Sequence, residues 1–192
     1  TNRAPQEAMG NVFLKMTHND KINRTDILNF EPELLAGAAS LNYENLYIIT
    51  SSNTASASEI VINCLKPYMA GRLIQVGTAT FGKNVAQQLY TDEVQAPMLE
   101  FWLTNSLLSN AEDNSDYYTN GLLPDYEISE NLKGELGELG TAQDSLMIPI
   151  LKHIETGNFP TAETEETLSR NGHEKYNFNS SIDIKPKSAI LK

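Results

Sequence analysis

Between Leu46 and Tyr68 the apolar positions change rhythm. Leu46, Tyr47, Ile48 and Ile49 form an unbroken, partly β-branched run, which predicts a buried strand. Small polar residues from Thr50 to Ala55 break it. From Ala57 onward the apolar positions Ile60, Val61, Cys64, Leu65 and Tyr68 step by three and four, which predicts a helix with one packed face. Pro67 predicts that this helix ends or kinks near Lys66. A second apolar run, Arg72 to Val76, stops at Gly77 and leads into the turn Thr80-Phe81-Gly82-Lys83.

The flanks are read the same way. Val12, Leu14 and Met16 alternate and predict a strand over 11–17. Residues 18–32 are polar and turn-rich, which predicts a surface loop, and 33–41 predict a weak helix or loop. Alternation returns over 84–91, and again over 95–108, where Phe101 and Leu103 oppose Trp102. Residues 109–120 predict a polar loop over which a substrate could lie. The chain then turns inward through Pro124 over 121–128. The glycine- and glutamate-rich stretch 130–140 predicts a linker. Asp144 is placed to cap a last helix running through His153, which Pro149 must begin or kink. The order strand, helix, strands, helix predicts an α/β domain.

Composition narrows the function classes. A formal charge of −11 over 192 residues argues against binding nucleic acid or an anionic membrane surface. The length suffices for one domain with a sizeable core. The single cysteine, Cys64, falls on the apolar face of the predicted helix and excludes an internal disulfide. No run is long enough to span a membrane, and the chain opens on Thr1 without a secretory signal. His18, Asp20 and Asp26 meet no metal-ligand spacing, so no metal and no cofactor are expected. Asn23-Arg24-Thr25 and Asn179-Ser180-Ser181 match the glycosylation pattern, which short polar stretches also produce by chance.

The chemistry concentrates at the strand-to-helix corner. Ser56 stands there, where helix N–H groups lack partners and the dipole is positive, a place suited to holding a developing oxyanion. Ser56-x-x-Glu59 is also a capping box, which by itself asks only for a helix start. No histidine neighbours this block, so a nucleophilic Ser56 would take Lys83 as its base.

The run T-A-S-A-S-E-I (residues 54–60), followed by T-F-G-K (80–83) and Gln87, resembles the catalytic core of the tail-specific, C-terminal processing proteases. These are the serine–lysine peptidases of family S41. G-L-L-P-D at 121–125 is similar to that family's strand-entry motif, and 135–154 to its closing turn and final helix. The resemblance covers about residues 40 to 157, with several motifs in family order. It implies a layered ClpP/crotonase-like α/β core over 1–157, with 158–192 as a C-terminal extension. It also implies Ser56 as nucleophile, Lys83 as general base, Gln87 as the residue orienting the lysine, and the Ala57 N–H as one oxyanion donor. Polypeptide substrates and an extracytoplasmic setting, such as periplasm or cell envelope, are implied with it. So are an upstream PDZ domain and an upstream glycine-rich turn carrying the second oxyanion donor, and hence a core whose N-terminal part lies before Thr1. Departures are Ser52-Asn53 in place of a common glycine pair, a longer bridge containing Pro67, and Asn84 where glycine is common. A non-catalytic ligand- or peptide-binding module on the same fold is the alternative reading, and retention of Ser56, Lys83 and Gln87 together argues against it. The sequence leaves oligomeric state and cleavage preference open.

Overall fold

The protein is described by a computed structural model covering residues 8–31, 44–94, 99–130 and 137–161. The sequence expectations for 33–41, for most of the 130–140 linker and for nearly all of the 158–192 extension therefore lie outside the described residues. The chain divides into two compact units, 1–129 and 130–192.

Among its described residues the first unit holds two sheets. One has four strands in the order β2-β1-β6-β5: β1 (Val12–His18), β2 (Thr25–Asn29), β5 (Val85–Asp92) and β6 (Leu99–Ser109), all antiparallel to their neighbours. The other has three strands in the order β3-β4-β7: β3 (Leu46–Thr50), β4 (Leu73–Gly77) and β7 (Tyr126–Glu127), all parallel. A parallel pair needs a crossover, and helix α1 (Ala57–Leu65) with the short 3₁₀ turn Lys66–Tyr68 supplies it. Pro67 sits where its missing N–H costs nothing, at the start of that turn.

Helix α1 joins two cores. Ile62 packs with Met69, Leu73, Tyr117 and Leu122, against Leu46 and Ile48 of the parallel sheet. Cys64 packs with Leu14 and Leu108 of the antiparallel sheet, flanked by Phe13, Met16, Ile60 and Ala86. Burying a side chain such as Ile62 is worth about 1.5–3 kcal/mol. Burial on two sides explains a departure from the sequence pattern. Ile62 is buried while Val61, assigned to the packed face, is 47% exposed. Burial also pushes the Cys64 thiol up to about 12.

Three further expectations change. Residues 18–32 are not all loop, because Thr25–Asn29 pairs with β1 as an outer strand. An edge strand with polar residues carries little of the alternation that betrays a half-buried one. His18 is not a solvated loop residue. It ends β1 with its ring nitrogens 2.8 Å from Asp26 Oδ2 and 3.0 Å from Ser106 Oγ. Strand β3 is less buried than its apolar run implies, with Ile49 41% exposed, since β3 is the outer strand of its sheet among the described residues.

The second unit is built around α2 (Met147–Thr156). Asp144 anchors its entry by accepting the Gly140 N–H at 2.8 Å and the Leu146 N–H at 2.9 Å. These backbone donors, Gly140 first, hold its carboxyl below the usual 3.8. Pro149 lies in the first helical turn, where no N–H is needed. His153 stacks on Phe159 with ring centroids 4.2 Å apart.

Candidate active site

The corner between β3 and α1 is strained at one residue. Ser56 has φ 57° and ψ −117°. A left-handed φ is uncommon outside glycine, and asparagine and aspartate supply most of the exceptions. The other two non-glycine cases among the described residues, Asn23 and Asp113, are of that kind. A serine so held costs about 1–3 kcal/mol, and surroundings must over-determine it. Nucleophile elbows place their serine on such a strand-to-helix turn, which pushes Oγ out of the chain path. Next along, the Ala57 N–H opens α1 and makes no hydrogen bond among the described residues. Ser58 is exposed on the first turn of the helix.

What over-determines Ser56 is Glu59. Its side chain is fully buried, at 0% exposure. The Ser56 N–H donates to Oε2 at 2.8 Å, the helix-capping contact read from the sequence. Three more donors come from the T-F-G-K turn. The Lys83 N–H reaches the same Oε2 at 2.8 Å, the Gly82 N–H reaches Oε1 at 2.6 Å, and the Thr80 hydroxyl donates to Oε1 at 2.5 Å. The main-chain nitrogens of Ser56 and Lys83 thus lie no farther apart than twice their common distance to one oxygen. The turn is also tied to the approach to Ser56, since the Phe81 N–H donates to the Thr54 carbonyl at 2.9 Å.

The turn needs glycine at 82. Its φ is 95°, and a Cβ there would stand 2.5 Å from the Tyr118 carbonyl oxygen and 2.6 Å from that of Tyr117. Loop 115–120 is therefore laid directly against the lysine turn, and Asn84 secures it by donating to the Ser115 carbonyl at 2.7 Å. An open polar cavity of about 340 Å³ lies here, lined by Asn84, Ser115, Asp116, Tyr118, Thr119 and Asn120.

Lys83 is half-buried, and its ammonium joins no ion pair among the described residues. Phe81 gives the lysine little apolar cover, because its side chain is 66% exposed. Gln87 follows the irregularity at Ala86–Gln87 in β5, is exposed, and donates to Thr104 Oγ1 at 3.4 Å. Ser56, Ala57 and Lys83 are thus brought together by backbone, while the side-chain bond of Gln87 runs to the neighbouring strand.

Sequence reasoning recognised Glu59 only as a cap and did not single out Thr80. The available signal was an acidic residue inside an otherwise apolar helix, which asks for more partners than one N–H.

A strained serine, a helix N–H without a partner among the described residues and a lysine-bearing turn thus meet at one corner of an α/β core. Residues 10–128 match the model of peptidase family S41, and the chain belongs to that family. Its α/β fold is that of an S41 protease core. A solved structure described as an S41 protease from Bacteroides fragilis NCTC 9343 is similar with a TM-score of 0.67 and 30% identity, over 80% of this chain and 39% of that one. The chain thus spans about two fifths of that structure's length. A lipoprotein from Streptococcus agalactiae is similar at TM-score 0.44 and 21% identity, over 62% of this chain and 41% of its own. The photosystem II D1 C-terminal processing protease is similar at TM-score 0.43 and 21% identity, over 70% and 33%. No curated protein matches.

Proposed function

We propose that this protein carries the nucleophile and base of a serine peptidase working by acyl transfer on polypeptides. Ser56 Oγ attacks the carbonyl carbon of the scissile peptide while Lys83 Nζ takes the hydroxyl proton. The Ala57 N–H donates to the oxyanion that forms. Collapse breaks the C–N bond, and Lys83 hands its proton to the leaving amine. Water, deprotonated by the same lysine, then cleaves the acyl-enzyme ester and returns Ser56. Gln87 is assigned the part of orienting Lys83. The polar cavity lined by Asn84, Ser115 and Tyr118 is assigned to a substrate side chain. A tail-specific, C-terminal processing activity in an extracytoplasmic setting is the finer reading, drawn from family resemblance.

The observation that carries the proposal is the strained backbone of Ser56, held within reach of the Lys83 main chain by one buried carboxylate oxygen. The test is labelling by a fluorophosphonate serine probe together with cleavage of an unfolded polypeptide. Wild-type protein should take one label, at Ser56, and cleave the substrate. Ser56→Ala and Lys83→Arg should do neither, the second because guanidinium stays protonated. Labelling at Ser58, or an active arginine variant, would refute these assignments.

A further inference from the structure

We infer that Glu59 and Thr80 are a positioning pair that sets the spacing of Ser56 and Lys83, an inference that rests on the peptidase reading above. An ionised carboxylate has about four acceptor sites, two on each oxygen. In Glu59 each oxygen has two donors, so every acceptor site is used. No cation pairs with it among the described residues. A charge so buried is tolerable only because of those donors and the positive end of α1. The arrangement is therefore all-or-none. Any movement of the lysine turn away from the serine corner strands part of a buried charge.

Thr80 extends the clamp. Its hydroxyl hydrogen goes to Glu59, while its oxygen accepts the Leu122 N–H at 2.7 Å. The Thr80 N–H in turn donates to the Leu122 carbonyl at 3.1 Å. Segment 121–125 is thereby linked, through one hydroxyl, to the oxygen that also holds Gly82. Neither Glu59 nor Thr80 needs to touch substrate for this. Their effect passes through the placement of two groups whose separation decides the proton transfer, where an error of about 1 Å can cost about 10²-fold in rate.

The full 192-residue chain is the material for the test. Thr80→Val keeps shape and removes the donor, Thr80→Ser keeps the donor, and Glu59→Gln replaces one acceptor oxygen with an amide that faces N–H groups. Each is measured for the second-order rate of fluorophosphonate labelling, for kcat and KM on one peptide, and for amide hydrogen exchange. Thr80→Val should lower labelling and kcat about 10- to 100-fold with KM nearly unchanged. Its amides at Ser56, Gly82 and Lys83 should exchange faster, while those of β1 and β6 stay protected. Thr80→Ser should recover most of the loss, and Glu59→Gln should fall at least as far as Thr80→Val. If Glu59→Gln does not fold, the valine–serine pair decides alone. A folded Thr80→Val with wild-type labelling would overturn the inference, as would a rise in KM at constant kcat. Ser56→Ala separates the two levels. Its loss of label beside an unaffected Thr80→Val sinks only the positioning pair, whereas label retained in Ser56→Ala, or none in wild type, sinks both readings.

Discussion

The serine corner and the β5–β6 hairpin distribute polarity in opposite ways. The corner buries a carboxylate and the Thr80 hydroxyl. The hairpin leaves Trp102 62% exposed, with Leu103 at 51% and Phe101 at 47%. Ordinary hydropathy would place these groups the other way round. A buried polar group costs free energy unless each of its bonds is made, so a satisfied network admits one geometry. An apolar side chain in water makes no such demand on the backbone ladder that joins β5 to β6. Where atoms must be placed to within fractions of an ångström the chain uses buried polar bonds, and where it needs only a surface it uses the sheet.

That contrast can be tested from its strong end to its weak one. The largest effect should be on chemistry, with Ser56→Ala lowering turnover by about 10⁶-fold, as measured by peptide cleavage, while unfolding shifts by about 1 kcal/mol. Next comes backbone strain. Ser56→Gly, equally inactive, should be more stable than Ser56→Ala by about 1–3 kcal/mol in denaturant unfolding, because it relieves the left-handed φ that alanine keeps. Equal stabilities would mean that the corner is unstrained. Gly82→Ala should cost a similar 1–3 kcal/mol, since its Cβ meets the backbone of loop 115–120, and the unfolding midpoint reports it. Trp102→Lys on the hairpin should move stability by no more than about 0.5 kcal/mol. A larger loss would show that the exposed rings carry structural weight.

The smallest effect is electrostatic. The folded carboxyl of Asp144 titrates below its unfolded value of 3.8, so its contribution is complete above that pH and fades as pH falls through the folded value. Asp144→Asn should lack this acid-side slope in the melting of α2, followed by circular dichroism between pH 5 and about 2.

What could be read without coordinates was whatever depends on neighbours in sequence. The rhythm around Leu46–Ile49, the steps of α1 and the stop at Pro67 are local, and the α/β core followed from them. Burial on α1 was misjudged at Val61 and Ile62 because the helix has a core on two sides, which a single stripe cannot express. Strand β2 was missed because Thr25, Asp26 and Asn29 read as loop. Three of the four donors on Glu59 were illegible for a different reason: they arrive from residues more than twenty positions away. Only the Ser56 contact lies within one helical turn. Motif order suggested Ser56 and Lys83 as partners, whereas the contacts through which Glu59 brings their backbones together could not be read from it.

The long reach of β1 bears on the order in which the molecule forms. The bond from His18 to Ser106 closes a loop of 88 residues, whereas that from Lys83 to Glu59 closes one of 24. Loop-closure entropy alone separates these by about 1.2 kcal/mol. The parallel β3–β4 pair and the serine corner are thus the more local nucleus, and the four-stranded sheet must await β6. During synthesis, residues 46–83 should already cohere while β1 still lacks its inner partner. Pulse-labelled exchange during refolding should protect the amides of Gly82 and Lys83 before those of Thr17 and Leu107, and the reverse order would place the nucleus in the antiparallel sheet.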